Sequence, residues 1–168
     1  MNSLIKYLAI VALIAVPAQV LAQRDAGSKA RGDYSGTFWS ARSAARSIGH
    51  ARDYVTSAHE YVKATPKPNA EYLRAESADI GKNLESTKAE VAYLKKNSAA
   101  DKETAAAITS IEKHLTAAEA EYKTFHAACA KESIESKDVM DCCSALTSHL
   151  EKAHNELQAL AKKLAPKK

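Results

Sequence analysis

Residues that build sheets and irregular loops are scarce in this sequence. Of its 168 residues only 6% are aromatic, and there are 5 Gly and 4 Pro. From Pro68 to Pro166 there is no proline at all, so a long stretch lacks the residue that most firmly stops a helix. With few β-branched and aromatic side chains, a sheet cannot be the main scaffold, which excludes all-β and doubly wound α/β folds. A large excess of one charge is also missing: Lys and Arg total 24, Asp and Glu 20, for a net charge of +4. So weak a field, in a chain that carries an export signal, does not suit a nucleic-acid interface. Motifs of catalysis are absent too. There is no Gly-rich phosphate loop, no Ser/His/Asp constellation and no Cys-x-x-Cys-His haem site, and Glu151-x-x-His154 is a single copy where a di-iron bundle needs two. The expectation is a protein that is not an enzyme and requires no cofactor.

What is abundant favours helix. Hydrophobic residues make up 46% and charged residues 26%, enough to bury one core in one domain. The first residues read as a secretory signal peptide over 1–22: Lys6, an apolar run from Leu8 to Val16, then Pro17 and the small-residue ending Val20-Leu21-Ala22. That run falls short of the ~20 apolar residues of a spanning helix, so cleavage after Ala22 and no membrane span after it are expected. Localisation is then periplasmic or secreted. A basic arm follows over 23–36, punctuated by Gly27, Gly32, Ser35 and Gly36 and containing the short adhesion-like tripeptide Arg31-Gly32-Asp33.

Three polar breaks divide what remains: Thr65-Pro66-Lys67-Pro68-Asn69, the stretch from Lys96 to Asp101, and the stretch from Glu132 to Ser136. Proline with Asn, Ser and Asp ends one helix and caps the next. The spacing predicts helices at about 37–64, 69–96, 101–131 and 137–164, each ~42 Å long at the standard rise. Links this short make consecutive helices antiparallel.

The hydrophobic heptads fix which residues meet. Helix 3 carries Ile108, Ile111, Leu115, Ala118, Tyr122, Phe125 and Cys129 at alternating steps of three and four. Helix 4 carries Val139, Cys143, Leu146, Leu150, Ala153, Leu157, Leu160 and Leu164 at the same steps. Folded back on each other, they pair Ile108 with Leu164, Leu115 with Leu157, Tyr122 with Leu150 and Cys129 with Cys143 in level layers. Helices 1 and 2 pass the same test through Val62 with Leu73 and Val55 with Ile80, and helices 2 and 3 through Val91 with Ile108 and Leu84 with Leu115. The fold class is therefore all-α: an antiparallel up-down-up-down four-helix bundle with a coiled-coil-like heptad core over 37–165.

On this register His114 faces Glu156 and Glu121 faces His149 at the flanks of helices 3 and 4, and Lys88 can reach Glu112 between helices 2 and 3. Helix 1 permits two phases. One buries Ala44, Ala51 and Ala58; the other buries Ala45, Arg52 and His59. The second matches the layering of the other hairpins and sets His59 in a buried polar layer with Ser77 and Tyr122.

Cys129, Cys142 and Cys143 are the only cysteines. In an oxidising compartment Cys129 and Cys143, one layer deep in adjacent helices, form a disulfide, worth ~3 kcal/mol for a loop of this length. Cys142 is then the free thiol, available for exchange or for a disulfide-linked dimer. The other reading is a soft-metal site for Cu or Zn at the helix 3/4 hairpin end, made of Cys129, Cys142 and Cys143 with His126 and Met140. From His126 to His149 the chain resembles exported four-helix-bundle copper-binding proteins of the copper-storage kind. The resemblance implies a copper ion held at this end through Cys129, Cys142 and Cys143; those proteins carry many more thiols, spread over several helices.

For function the expectation is an exported interaction or structural module of the cell envelope or periplasm, with soft-metal binding and thiol exchange as the alternatives. Phe38, Trp39, Arg42 and Arg46 are the candidate partner-binding residues, at the end of the bundle away from the cysteines. The partner would be an envelope macromolecule or surface.

Overall fold

The computed structural model describes residues 35–98, 101–131 and 133–165. The signal peptide expected over 1–22, the cleavage expected after Ala22 and the expected arm through residue 34 lie outside the described residues. Four helices follow one another: α1 (Gly36–Ala64), α2 (Ala70–Asn97), α3 (Lys102–Ala130) and α4 (Ser136–Lys163). Each packs on two neighbours, α1 on α2 and α4, and α3 on α2 and α4, with no diagonal contact between opposite helices. This is the antiparallel four-helix bundle of the sequence reading, and among the described residues there is no strand.

The caps explain the boundaries. Asn69 Oδ1 accepts from the amides of Glu71 (2.8 Å) and Tyr72 (3.1 Å), and Asp101 Oδ1 accepts from the Glu103 amide (3.1 Å). Both satisfy N–H groups that the helix itself leaves unpaired. Hydrogen bonding by the Thr104 hydroxyl, ahead of that by Lys163, holds the Asp101 carboxyl down at about 2. Helix α1 begins at Gly36, inside the segment read as arm, because Ser35 Oγ accepts from the Phe38 amide at 3.3 Å.

The heptad layers of α3 and α4 are buried as expected. Ile108, Ile111, Leu115, Ala118, Phe125 and Cys129 face Val139, Cys143, Leu146, Leu150, Ala153, Leu157 and Leu160, none more than 3% exposed. Tyr122 and Leu164 are only partly buried and pack on the edge of this core.

Helix α1 takes the first of its two phases. Ala41, Ala44, Ile48, Ala51, Val55 and Ala58 are fully buried, whereas Arg52 and His59 are only half-buried. His59 is therefore not in a core layer with Ser77, which corrects the polar layer expected from the sequence. The physical reason is charge: the second phase would have taken the Arg52 guanidinium out of water with no buried partner, at a cost of several kcal/mol. Alanine at 44, 51 and 58 fills the stripe at no such cost.

Two glycines mark close approaches. A Cβ on Gly81 would collide with the Tyr122 hydroxyl, so α2 and α3 meet there through a ring laid over bare backbone. A Cβ on Gly49 would stand 3.2 Å from His154 Cε1, at the seam where α1 meets α4. Between α2 and α3 the ion pairs are Lys88 with Glu119 and Lys95 with Glu112 (2.9 Å), instead of Lys88 with Glu112. Side chains leave a helix inclined toward its N-terminus, so in this antiparallel pair Lys88 reaches one heptad further along α3.

Candidate functional site

Two places gather chemistry-bearing residues: the cysteine end and a groove at the opposite end.

At the cysteine end, α3 runs out and α4 begins. Cys129, Cys142 and Cys143 are all buried, and all three carry free thiols, so the Cys129–Cys143 disulfide expected from the sequence is not formed in this structure. Burial, reinforced by the neighbouring thiols, pushes Cys143 up to about 12. Burial also lifts Cys129 to about 11, with Cys142 adding to the rise and Arg74 opposing it. Cys142 is also buried; burial raises it first, then the charges of Glu121, Asp138 and Asp141. A thiol so displaced stays protonated, and it is the thiolate that attacks disulfides and binds metals.

The other proposed ligands do not join the thiols. His126 is exposed, and its Nδ1 shares a 2.9 Å hydrogen bond with Ser77 Oγ while its ring lies 5.8 Å from that of Tyr122. The polar contact to buried Ser77 thus comes from His126 on α3, not from His59 on α1. Met140 is half-buried against the core. Among the described residues no group of three His, Cys, Asp or Glu side chains is arranged to hold a metal ion. What fastens this end is Arg74, which donates to the carbonyls of Cys129 (3.2 Å), Ala130 (3.5 Å) and Lys131 (3.3 Å), the open C-terminus of α3.

A labelling prediction follows from the burial of the thiols. At about pH 8, alkylation of the native protein should run at least ~100-fold slower at Cys129 and Cys143 than after denaturation, since their thiolate fractions fall by more than two powers of ten. Cys142 should label first among the three. Mass spectrometry of iodoacetamide adducts, with and without guanidinium, checks this; fast and equal labelling of the native chain would contradict it.

Between α3 and α4, His114 Nε2 lies 3.7 Å from Glu156 Oε1, which accepts from Ser110 Oγ at 2.8 Å. The companion pair of Glu121 with His149 does not form. The His149 ring lies 6.3 Å from that of His114, and its Nδ1 is buried without a partner.

The second place is a groove of about 500 Å³ between the first turns of α1 and the last turns of α4. Helix α1 contributes Phe38, Arg42, Ala45 and Arg46. Helix α4 contributes His154, Gln158, Ala161 and Lys162, with Ala165 just beyond it. The wall is built around His154. A carbonyl oxygen only accepts, so the 2.8 Å contact of His154 Nδ1 with Ala45 O places the proton on Nδ1, and Nε2 then accepts from Gln158 Nε2 at 2.7 Å. Gly49 gives that ring its space.

Arg42 lies over both aromatic rings beside the groove, 5.7 Å from the Phe38 centroid and 5.4 Å from that of Trp39. The two rings meet edge to face at 5.2 Å. Such stacking fixes the guanidinium before any ligand arrives. Among the described residues no carboxylate lines this groove, whereas the depressions beside α2 carry Asp53 with Glu60, or Asp53 with Glu76. Among the described residues neither Arg46 nor Lys162 has an acidic partner. The groove is cationic over an apolar floor of Phe38, Ala45 and Ala161, each 7% exposed.

Of the four partner-binding residues expected from the sequence, Phe38, Arg42 and Arg46 line the groove and Trp39 stands against Phe38 at its rim. The half supplied by α4 was missed. His154, Gln158 and Lys162 recur every four residues and share one helix face, but only the pairing of α1 with α4 gives that face a partner. No protein-family model, curated protein or solved structure matches this chain.

Proposed function

We propose that this protein is an exported, non-catalytic helical bundle that acts as an interaction module in the cell envelope or periplasm, with the α1–α4 groove as its contact surface. The observation that carries this reading is the convergence of Arg42, Arg46 and Lys162 on one groove that, among the described residues, no carboxylate lines. Like charges cost free energy when gathered on a small domain unless something of opposite sign meets them. The rest of the molecule supports a scaffold role: its core is mostly apolar, and ion pairs such as Lys95 with Glu112 and Lys131 with Asp138 lie at the surface.

The reading is tested by fractionating cells that produce the full chain. Wild-type protein should be exported and retained with the envelope. The folded double variant Arg42→Glu/Arg46→Glu should move into the soluble exported fraction, with retention lowered at least ~10-fold if each charge is worth about 1 kcal/mol at an anionic surface. A variant retained as firmly as wild type overturns the groove as contact surface, and wild type found inside the cell overturns the envelope assignment.

A further inference from the structure

We infer that the groove docks the bundle by its end onto an anionic bilayer, a lipid phosphate seated among Arg42, Arg46 and Lys162 with Trp39 in the headgroup layer. The inference rests on the groove being the contact surface and adds the chemistry of what it contacts. Charge complementarity gives the sign. Three cations from two helices face one volume of about 500 Å³ that, among the described residues, no acidic side chain lines. Guanidinium forks match phosphate oxygens in pairs, and a lysine adds a mobile point charge.

Charge alone would suit any polyanion. The aromatic tip and the floor select a bilayer. Phe38 and Ala161 make the floor apolar, and Trp39 lies half-buried at the rim, edge to face with Phe38 and beneath Arg42. An indole with one apolar and one polar side settles at the boundary between headgroups and acyl chains. All these groups lie along the half of the α1–α4 seam that holds the start of α1 and the end of α4. The attachment inferred is peripheral, held by headgroup charge and shallow ring insertion.

Trp39 is the only tryptophan, so its emission reports the contact directly. The full chain is mixed with vesicles of phosphatidylglycerol and phosphatidylcholine, and separately with phosphatidylcholine alone. Expected are sedimentation with the anionic vesicles only, a blue shift of Trp39 emission, and loss of both at high salt. Arg42→Glu/Arg46→Glu and, as a second variant that leaves the stacked Arg42 intact, Arg46→Glu/Lys162→Glu should each bind at least ~10-fold more weakly. Lys67→Glu/Lys137→Glu, the same charge change on exposed residues outside the groove, should bind like wild type. Equal weakening in that control overturns the site.

Displacement by soluble glycerol phosphate with no blue shift overturns the bilayer as the source of the phosphate. So does binding to a soluble acidic polysaccharide in place of vesicles. If vesicles fail to bind while envelope retention in cells still depends on Arg42 and Arg46, the lipid inference falls and the contact surface stands.

Discussion

Ala51→Glu is expected to unfold the bundle or lower its stability by more than about 4 kcal/mol, the range reached when an unpaired charge is forced into a core. Ala51 is fully buried at the middle of α1. Each neighbour in its stripe, Ile48, Val55 and Ala58, is likewise fully buried and apolar, so no donor is at hand for the carboxylate. The same side chain one position on has a different fate. Arg52 is half-buried at the surface, and its ion pair with exposed Asp53 at 2.9 Å is of the kind that contributes at most about 1 kcal/mol. Arg52→Glu should therefore cost no more than that. Urea denaturation of both variants, followed by helical circular dichroism, checks the pair. The reverse order would mean that α1 presents its other stripe to the core.

Phe125→Ala should cost about 3–5 kcal/mol, the usual penalty for truncating a buried ring. Phe125 is the largest fully buried side chain of the bundle and sits one turn before Cys129 on α3. The aliphatic layers around it are rigidly placed by four helices and can close only part of the space. A typical domain has a net stability of about 5–15 kcal/mol, so this one change removes a large share. It should also speed alkylation of Cys129, because the cavity opens beneath the thiol whose raised pKa depends on burial. A midpoint shift worth less than about 1 kcal/mol would show that the cysteine end is loosely packed already.

These two variants separate what was legible from what was not. Phe125 could be read as core from its heptad place between Ala118 and Cys129, and the structure buries it there. Ala51 could not. The two candidate stripes of α1 begin alike with Ala44 and Ala45, but only the first continues as alanine; the expectation followed a layering argument, which the cost of burying Arg52 overrides. The cysteines illustrate a second limit. Spacing places Cys129 and Cys143 in one layer, and they are in one layer. Their chemistry depends on how much water reaches them, which spacing does not encode.

The groove was half legible for a related reason. Phe38, Trp39, Arg42 and Arg46 stand out because aromatics are rare and the arginines cluster. His154, Gln158 and Lys162 look like ordinary surface residues until α1 lies against them.

By itself, then, the sequence determined the helices, their caps at Asn69 and Asp101, and the register across each of the three turns. Those properties are local, or are carried by a short link that leaves one way for neighbours to fold back. Tertiary structure alone decided the phase of α1, the depth at which the thiols are buried and the α4 wall of the groove. No turn joins α1 to α4, so nothing along the chain sets their register; it is set by packing, where His154 bonds the Ala45 carbonyl in the space that Gly49 leaves open.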